Sequence, residues 1–206
     1  MRCSTLPARS LLLTLLLLLA STAAVAEWIH PFDYPQAKKA PAEIMAVIEI
    51  PAGSFTKYEM DPDTGHILVD RVVRMPVTYP ANYGSVSQTA AGDGDPLDVL
   101  VYTREPLHPG VLIKVRPVAI LKSLDGGEQD DKIIAVPASK IDPTYDEIQD
   151  IDDLPDYDKK RMEAFFRVYK QLKSDKVIEI KGWANADEAR KMVQVALDLY
   201  AQPNDD

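Results

Sequence analysis

Three carboxylates stand within six residues in the segment Asp93-Gly94-Asp95-Pro96-Leu97-Asp98, and strand-forming residues follow it directly. Carboxylates packed this closely repel one another, at a cost on the order of 1 kcal/mol per pair at about 4 Å in water. A divalent cation among the oxygens removes this repulsion, and hard oxygen ligands select Mg²⁺, Mn²⁺ or Ca²⁺. The segment therefore predicts a metal site, although a solvated Asp-Gly turn explains the same residues equally well.

The spacing of the three acids suggests separate roles. Asp93 and Asp98 are five positions apart, with Pro96 stiffening the backbone between them, so both carboxylates can turn towards one ion. Asp95 lies between them and does not need to be a ligand, since a carboxylate beside bound cations can hold and deprotonate an attacking water. A calcium EF-hand is excluded, because the segment lacks the spacing and the sixth-position glycine of that loop.

Further charged and phenolic side chains stand at predicted turns and strand ends. They are Glu49, Lys57, Tyr58 and Glu59 on the first two strands; Asp125, Glu128, Asp130, Asp131 and Lys132 in a second acidic loop; and Arg71, Tyr79, Tyr83, Tyr169 and Lys170. Lys57 and Glu59 share one face because side chains alternate along a strand. Each cation or phenol alone is an ordinary surface or packing residue. Together they could surround a phosphate held by metal ions, which indicates metal-assisted phosphoryl transfer to water.

Other catalytic classes find little support in the sequence. No glycine-rich phosphate loop is present. His30, His66 and His108 are scattered and have no evident nucleophile partner, so a Ser-His-Asp arrangement is unattractive. We interpret all three histidines as structural or surface residues.

The first 26 residues are expected to be a cleaved secretory signal peptide. Arg2 and Arg9 precede an apolar run at 11–20, which is too short to span a bilayer, and Ala24-Val25-Ala26 forms an A-x-A cleavage site before Glu27. An uncleaved N-terminal anchor is the alternative. Cleavage would leave no stable membrane anchor. The expected signal peptide predicts that the protein is exported, with the periplasm favoured over secretion or an organelle lumen.

The expected mature chain is one acidic domain, residues 27–206. It has 206 − 26 = 180 residues and a formal charge of (23 − 2) − 32 = −11, which argues against nucleic acid as a partner. The single cysteine, Cys3, lies in the removed segment, so disulfides, a catalytic thiol and a zinc-thiolate site are excluded. An anionic substrate would need local positive charge or metal ions.

Strand patterns dominate the first half of this domain and helical patterns the end. β-branched or alternating runs predict strands at 44–50, 54–60, 67–74, 97–103, 111–124 and 132–136, after an irregular lead-in at 27–42. Helical spacing predicts an amphipathic helix at 156–173 and a last helix capped by Asn185, with Glu188 as its capping-box partner. We therefore expect an α+β fold, a small closed barrel with two helices packed outside.

In its sequence motifs the chain resembles the soluble family I inorganic pyrophosphatases, of the compact bacterial or organellar type. The signature is the segment from Asp93 to Val99. Supporting motifs over 41–200 are Val47-Ile48-Glu49-Ile50-Pro51, Lys57-Tyr58-Glu59, Val69-Asp70-Arg71, Tyr79-Pro80-Ala81-Asn82-Tyr83-Gly84, Pro106-Leu107-His108-Pro109-Gly110 and Phe165-Phe166-Arg167-Val168-Tyr169-Lys170. The resemblance implies an OB-like five-stranded barrel that hydrolyses pyrophosphate to two phosphates with several Mg²⁺ ions, for which Mn²⁺ or Zn²⁺ are possible substitutes. It also implies a homo-oligomer, a hexamer of two trimers.

The resemblance assigns a role to each matching residue. It implies Asp93, Asp98 and Asp130 as principal metal ligands, Asp125 as ligand of a further metal, and Asp95 as the residue that deprotonates the water. Lys57, Arg71, Tyr83, Lys132, Tyr169 and Lys170 would bind phosphate, with Glu49, Glu59 and Tyr79 as outer residues. One departure is Gly126, where relatives often carry an acid, which predicts a weaker further-metal site. Two alternatives stay open: a metal-binding barrel without activity, and a hydrolase of longer polyphosphates.

Overall fold

Five strands close into a ring in the computed structural model, which describes residues 28–92, 94–172 and 178–202. In ring order they are β1 (Ile44–Ile50), β4 (Asn82–Val86), β5 (Asp98–Val101), β8 (Lys132–Pro137) and β6 (Leu112–Asp125), and β6 pairs back with β1. Strands β5 and β8 run parallel, whereas the other neighbours are antiparallel. The predicted OB-like five-stranded barrel is thereby confirmed.

Both faces of the barrel wall are buried, which explains why its strands are nearly continuous apolar runs. Val99 and Val101 belong to one buried cluster, whereas Leu100 between them belongs to the other. Successive side chains of a strand point to opposite faces. One helix covers each cluster. Polar residues in the barrel wall are therefore exceptions, and each needs a hydrogen-bond or ion-pair partner.

The helices are α1 (Asp156–Val168) and α2 (Ala186–Tyr200). In α1, Met162, Phe165 and Phe166 are buried as expected. The prediction to 173 was too long, because the described helix ends at Val168 and Leu172 has a φ of 63° and is 72% exposed. Residue 173 itself lies outside the described residues.

Helix α2 begins as predicted. The Asn185 side chain accepts a hydrogen bond from the backbone N–H of Glu188 at 2.9 Å. The Glu188 carboxylate pairs with Lys122 at 3.1 Å, across to β6, rather than serving the helix end that the capping-box pattern suggested. Among the described helices, none is long and apolar enough to cross a membrane.

A separate two-stranded sheet stands beside the barrel. It is the hairpin of β2 (Thr56–Met60) and β3 (Ile67–Val72), joined through the predicted turn at 61–65. Short β7 (Glu128–Gln129) and long β9 (Ile178–Asn185) extend the barrel wall from β6. Strands β4 and β9 were not among the predicted strands. The expected signal peptide, Cys3 and Asp93 lie outside the described residues.

Candidate active site

The β2–β3 hairpin carries four charged residues of the predicted site region. Lys57 and Arg71 are direct partners in the strand register. The Lys57 ammonium pairs with Glu59, with which it was predicted to share a face, and lies 3.3 Å from Asp70 Oδ2. Arg71 pairs with the same Asp70 carboxylate. The sequence reasoning missed Asp70 as a site residue, although its position next to Arg71 could have revealed it.

Asp70 holds the two hairpin cations together. Burial alone raises the pKa of this carboxyl group, but the hydrogen bond from Lys57 and the charges of Lys57 and Arg71 hold it below the ordinary value. Asp70 therefore stays ionised near neutral pH. Because one carboxylate lies between two cations, an arriving anion meets both of them in a fixed arrangement.

Lys132 lies deepest in the site. It is the first residue of β8 and only 2% exposed. Its ammonium lies 2.6 Å from Asp98 Oδ2, at the start of the parallel neighbour β5, and pairs with Asp130. Burial alone lowers the pKa of Lys132, but the charges of Asp98 and Asp130 outweigh it and raise the pKa above the ordinary value. The lysine is therefore a permanent cation between two predicted metal ligands.

Asp130 is held by the loop that leads into β8. Its backbone N–H donates to the Ser123 carbonyl at 2.9 Å, and the Ser123 hydroxyl donates to the Asp130 carbonyl. Burial raises the pKa of the Asp130 carboxyl, and the ion pair with Lys132 opposes this rise. The neighbouring Asp131 has a turn role instead, because its Oδ1 accepts from the Ser123 backbone N–H at 2.9 Å.

Asp125 ends β6 at the next turn. Its Oδ2 pairs with Lys170, and its Oδ1 is buried with no hydrogen-bond partner in the described part of the chain. A buried carboxylate oxygen without a partner is costly. Such an oxygen is suited to a cation, which makes this the structural observation that fits a metal ligand. The adjacent Gly126 is exposed and has a φ of 63°, so it supplies a turn and no side-chain ligand.

Three tyrosines form the apolar wall between these charged groups. Tyr79, Tyr169 and Phe165 of α1 pack ring against ring, with centroids 4.7 Å apart for Tyr79–Phe165 and 4.8 Å for Phe165–Tyr169. Tyr83 packs edge-on against Tyr79 at 5.7 Å. Burial raises the pKa of all three phenols well above the ordinary value. They remain protonated hydrogen-bond donors at neutral pH.

Glu49 lies in the barrel wall beneath the hairpin. It is 8% exposed, and its Oε1 accepts from the Met60 backbone N–H at 2.9 Å while its Oε2 accepts from the Ser85 hydroxyl at 3.3 Å. Burial raises the pKa of Glu49 to about 7, although the hydrogen bonds oppose it. The nearby charge of Asp98 adds to the rise. Glu49 therefore changes charge within the physiological range.

Most of the predicted site residues that the structure describes lie close enough for their charges to interact, around two neighbouring pockets. A cleft of about 860 Å³ is lined by Asp95, Asp98 and Asp130 together with residues of α2, and a pocket of about 260 Å³ by Asp70, Arg71 and Tyr169. The charges of Arg71, Asp125 and Asp130 all act on the Tyr169 phenol, which connects the two. Asp95 is exposed at the cleft, and Asp93 lies outside the described residues.

Within the described ranges, no three acidic, histidine or cysteine side chains already converge as a completed metal site. The ion pairs give a physical reason, because lysines lie against the predicted ligands: Lys132 against Asp98 and Asp130, and Lys170 against Asp125. The site thus contains carboxylates that could bind metal ions, and beside them lysines that could bind an anion.

The fold and the site together define a closed-barrel protein in which clustered carboxylates lie beside lysines. Comparison with known proteins agrees. The sequence model of the inorganic pyrophosphatase family matches residues 46–201. An inorganic pyrophosphatase of Aquifex pyrophilus is 44% identical over 168 residues, which are 82% of this chain and 95% of that protein.

Two further relatives give the same result. An inorganic pyrophosphatase of Leifsonia xyli is 51% identical over 157 residues, covering 76% of this chain and 95% of that protein. The crystal structure of the Thermus thermophilus inorganic pyrophosphatase superposes with a TM-score of 0.81 at 40% identity, over 84% of this chain and all of that chain. The chain belongs to the inorganic pyrophosphatase family.

Proposed function

We infer that this protein hydrolyses inorganic pyrophosphate to two phosphates. The observation that carries the inference is the pairing of cations with clustered carboxylates in a chain of this family: Lys132 is buried between Asp98 and Asp130, and Lys170 pairs with Asp125. A phosphoanhydride carries charge on both halves, so its binding needs donors on opposite sides. We propose that the hairpin cations form one such side, and that Lys132 of β8 with Tyr169 and Lys170, which follow α1, form the other.

Divalent metal ions belong to this function. We propose Asp93, Asp98, Asp125 and Asp130 as their ligands, with Mg²⁺ as the physiological metal and Mn²⁺ or Zn²⁺ as substitutes. The buried Oδ1 of Asp125, which has no hydrogen-bond partner among the described residues, supports Asp125 as one of these ligands. When bound, the metal ions would neutralise part of the substrate's charge and make a water molecule acidic enough to attack near neutral pH.

The chain's own residues then have defined tasks. Asp95, exposed at the cleft, accepts the proton of the attacking water at its carboxylate. Lys57, Arg71, Lys132 and Lys170 hold the phosphoryl oxygens by charge. The hydroxyls of Tyr83 and Tyr169 donate hydrogen bonds, since their raised pKa values keep them protonated.

Outer residues hold this arrangement in place. Glu49 and Glu59 are outer carboxylates, and Tyr79 packs beneath Tyr83 and Tyr169. Glu59 pairs with Lys57 and so fixes the direction of that ammonium. Gly126, in the turn after Asp125, leaves the further-metal site with fewer carboxylates, and we propose that this site binds its ion more weakly.

A phosphate-release assay tests the function. The mature protein with pyrophosphate and Mg²⁺ should release phosphate, and Asp95→Asn should lose about 10²–10⁴-fold in turnover while folding and binding metal normally. Asp187→Asn, an exposed carboxyl change in the first turn of α2, is the matched control and should keep full activity. Phosphate release at the blank level by the unaltered protein would instead support a metal-binding barrel without activity.

Substrate choice needs a separate comparison. Turnover of pyrophosphate, tripolyphosphate and ATP at one fixed Mg²⁺ concentration distinguishes pyrophosphate hydrolysis from the alternative of longer polyphosphates. We expect pyrophosphate to be preferred. A tripolyphosphate rate equal to or above the pyrophosphate rate would contradict that expectation.

We also propose that the protein is exported to the periplasm after cleavage before Glu27, and that it forms a homo-hexamer. The basic start, apolar run and A-x-A site of residues 1–26 support export. N-terminal sequencing of the natively produced protein should begin at Glu27. Light scattering of the mature protein tests the oligomer, and a monomeric mass would contradict it.

A further inference from the structure

We propose that His30 is a positioning residue, and that the segment Trp28–Phe32, here named the N-terminal brace, holds the β2–β3 hairpin in its working position. The brace lies before residue 46, where the family match begins. It contacts the far turn of the hairpin rather than the charged cleft. The effect on activity rests on the proposed function, whereas the contacts themselves do not.

The brace is tied to the hairpin turn by one side chain. The His30 ring bonds to the turn through Nε2, which lies 3.1 Å from the Asp61 carbonyl. Its Nδ1 accepts from the Phe32 backbone N–H at 3.1 Å. One ring nitrogen must accept and the other must donate, which defines a neutral imidazole with its proton on Nε2. The ring therefore links the brace backbone to the turn backbone.

Aromatic and backbone packing support the same link. The Trp28 ring lies against Gly65 of the turn, where an added Cβ would overlap the indole and lie 2.9 Å from Pro31 Cδ. The Trp28 and His30 rings meet edge to face at 5.6 Å. The turn itself is closed by the Asp61 N–H bond to His66 and the Gly65 N–H bond to Asp61, both at 2.8 Å. Brace and turn thus form one packed unit.

The other end of the brace is anchored to the barrel and to α2. The Gln88 backbone N–H donates to the Phe32 carbonyl at 2.6 Å. The Tyr200 hydroxyl donates to Asp33, the next residue, at 2.6 Å. Gln88 begins the loop that leads to Asp95 and Asp98. The brace therefore connects the hairpin to the other half of the site.

The hairpin has a physical need for such a support. An isolated two-stranded hairpin is marginally stable in water, and this one is a separate sheet from the barrel. It nevertheless carries Lys57, Glu59, Asp70 and Arg71. Small displacements of substrate-binding groups weaken binding and catalysis strongly. In the proposed function the hairpin cations hold phosphoryl oxygens, whereas Asp95 outside the hairpin accepts the proton of the attacking water. Loosening the turn should therefore weaken pyrophosphate binding more than it slows the chemical step.

Two isosteric variants separate the two bonds of the His30 ring. His30→Asn keeps an acceptor near the position of Nδ1 but cannot reach Asp61, whereas His30→Gln places an amide N–H near the position of Nε2. We expect His30→Ala and His30→Asn to raise the KM for pyrophosphate about three- to tenfold with little change in kcat, and His30→Gln to stay near the wild-type KM. His108→Ala, at an exposed histidine in the loop before β6, is the control.

Hydrogen exchange of the full chain gives a readout independent of turnover. The amides of Asp61 and Gly65 should exchange faster in His30→Ala and His30→Asn than in His30→Gln. Unchanged exchange there, or an unchanged KM despite faster exchange, would overturn the brace as a positioning element. A wild-type protein without phosphate release would contradict the proposed function alone, and the exchange comparison would then decide whether the brace holds the hairpin.

Discussion

Glu49 should make the stability of this protein depend on pH. Its carboxyl is buried in the barrel wall, and burial raises its pKa from 4.5 to about 7 in the folded state. Below pH 4.5 both the folded and the unfolded chain carry this proton. As the pH rises through 7, the unfolded chain has already released the proton, whereas the folded chain releases it at a cost. Stability from this group is therefore present at low pH and lost towards pH 8.

The magnitude follows from the two pKa values. Their difference corresponds to about 3 kcal/mol of unfolding free energy. Glu49→Gln removes the titration and retains the hydrogen bonds, because its amide oxygen can accept from Met60 N–H and its amide nitrogen can donate to the Ser85 hydroxyl. The variant should therefore gain stability over wild type by about 3 kcal/mol more at pH 8 than at pH 4.5.

Urea unfolding at pH 4.5, 6 and 8, with EDTA and at one protein concentration, measures this difference. Glu147→Gln removes a carboxylate at an exposed position and should show the same difference from wild type at each pH. If the free-energy difference between Glu49→Gln and wild type stayed constant across the range, the folded-state proton would not reside on Glu49 and the reasoning would fail.

Three further predictions concern Lys132, Lys57 and the close approach of β4 to β1. Lys132→Met removes the ion-pair partner of Asp98 and Asp130 and should cost about 3 kcal/mol of stability in EDTA. Mg²⁺ should raise the Tm of this variant more than that of wild type, and equal Tm shifts would contradict this explanation. Lys57→Ala should raise the KM for pyrophosphate about tenfold, because a phosphate-binding charge is lost; an unaltered KM would remove it from the site. Gly84→Ala should lower the Tm by about 5 °C or more, since its Cβ would overlap the Val47 carbonyl, whereas Gly92→Ala, with open space around it, should not.

The sequence predicted the strands whose apolar runs are long, because both faces of the barrel wall are buried. Strand β4 was not predicted, and the reason is physical. Its residues Asn82, Tyr83 and Gly84 read as a turn, yet Gly84 is required where the backbone passes close to Val47 of β1. Strand β9 contains Gly182 at a φ of 108°, beside a register shift against β6, which breaks an otherwise alternating run. Both exceptions depend on a partner strand that is distant in sequence.

The structure places the predicted charged residues of its described part near one another, but the sequence reasoning missed Asp70 and most of the partners of these residues. Alternation along β2 predicted that Lys57 and Glu59 share one face, and the ion pair between them is an addition from the structure. Nothing local in the sequence indicates that Lys132 is buried between Asp98 and Asp130, because this depends on the parallel pairing of β5 and β8. His30 was interpreted as structural or surface, and only the packed brace shows that it reaches the hairpin turn.

The pairing of charges in this structure explains how an acidic chain can hold an anion. The predicted phosphate-binding cations are not free in the described structure, since Lys57, Lys132 and Lys170 each lie against carboxylates. A highly charged anion alone would have to compete with those carboxylates. If the anion arrives with divalent cations, the carboxylates gain new partners while the lysines turn to the anion, and the local net charge changes little. The apparent affinity for pyrophosphate should therefore increase when the concentration of divalent metal ions is raised, because the anion and the metal ions bind together.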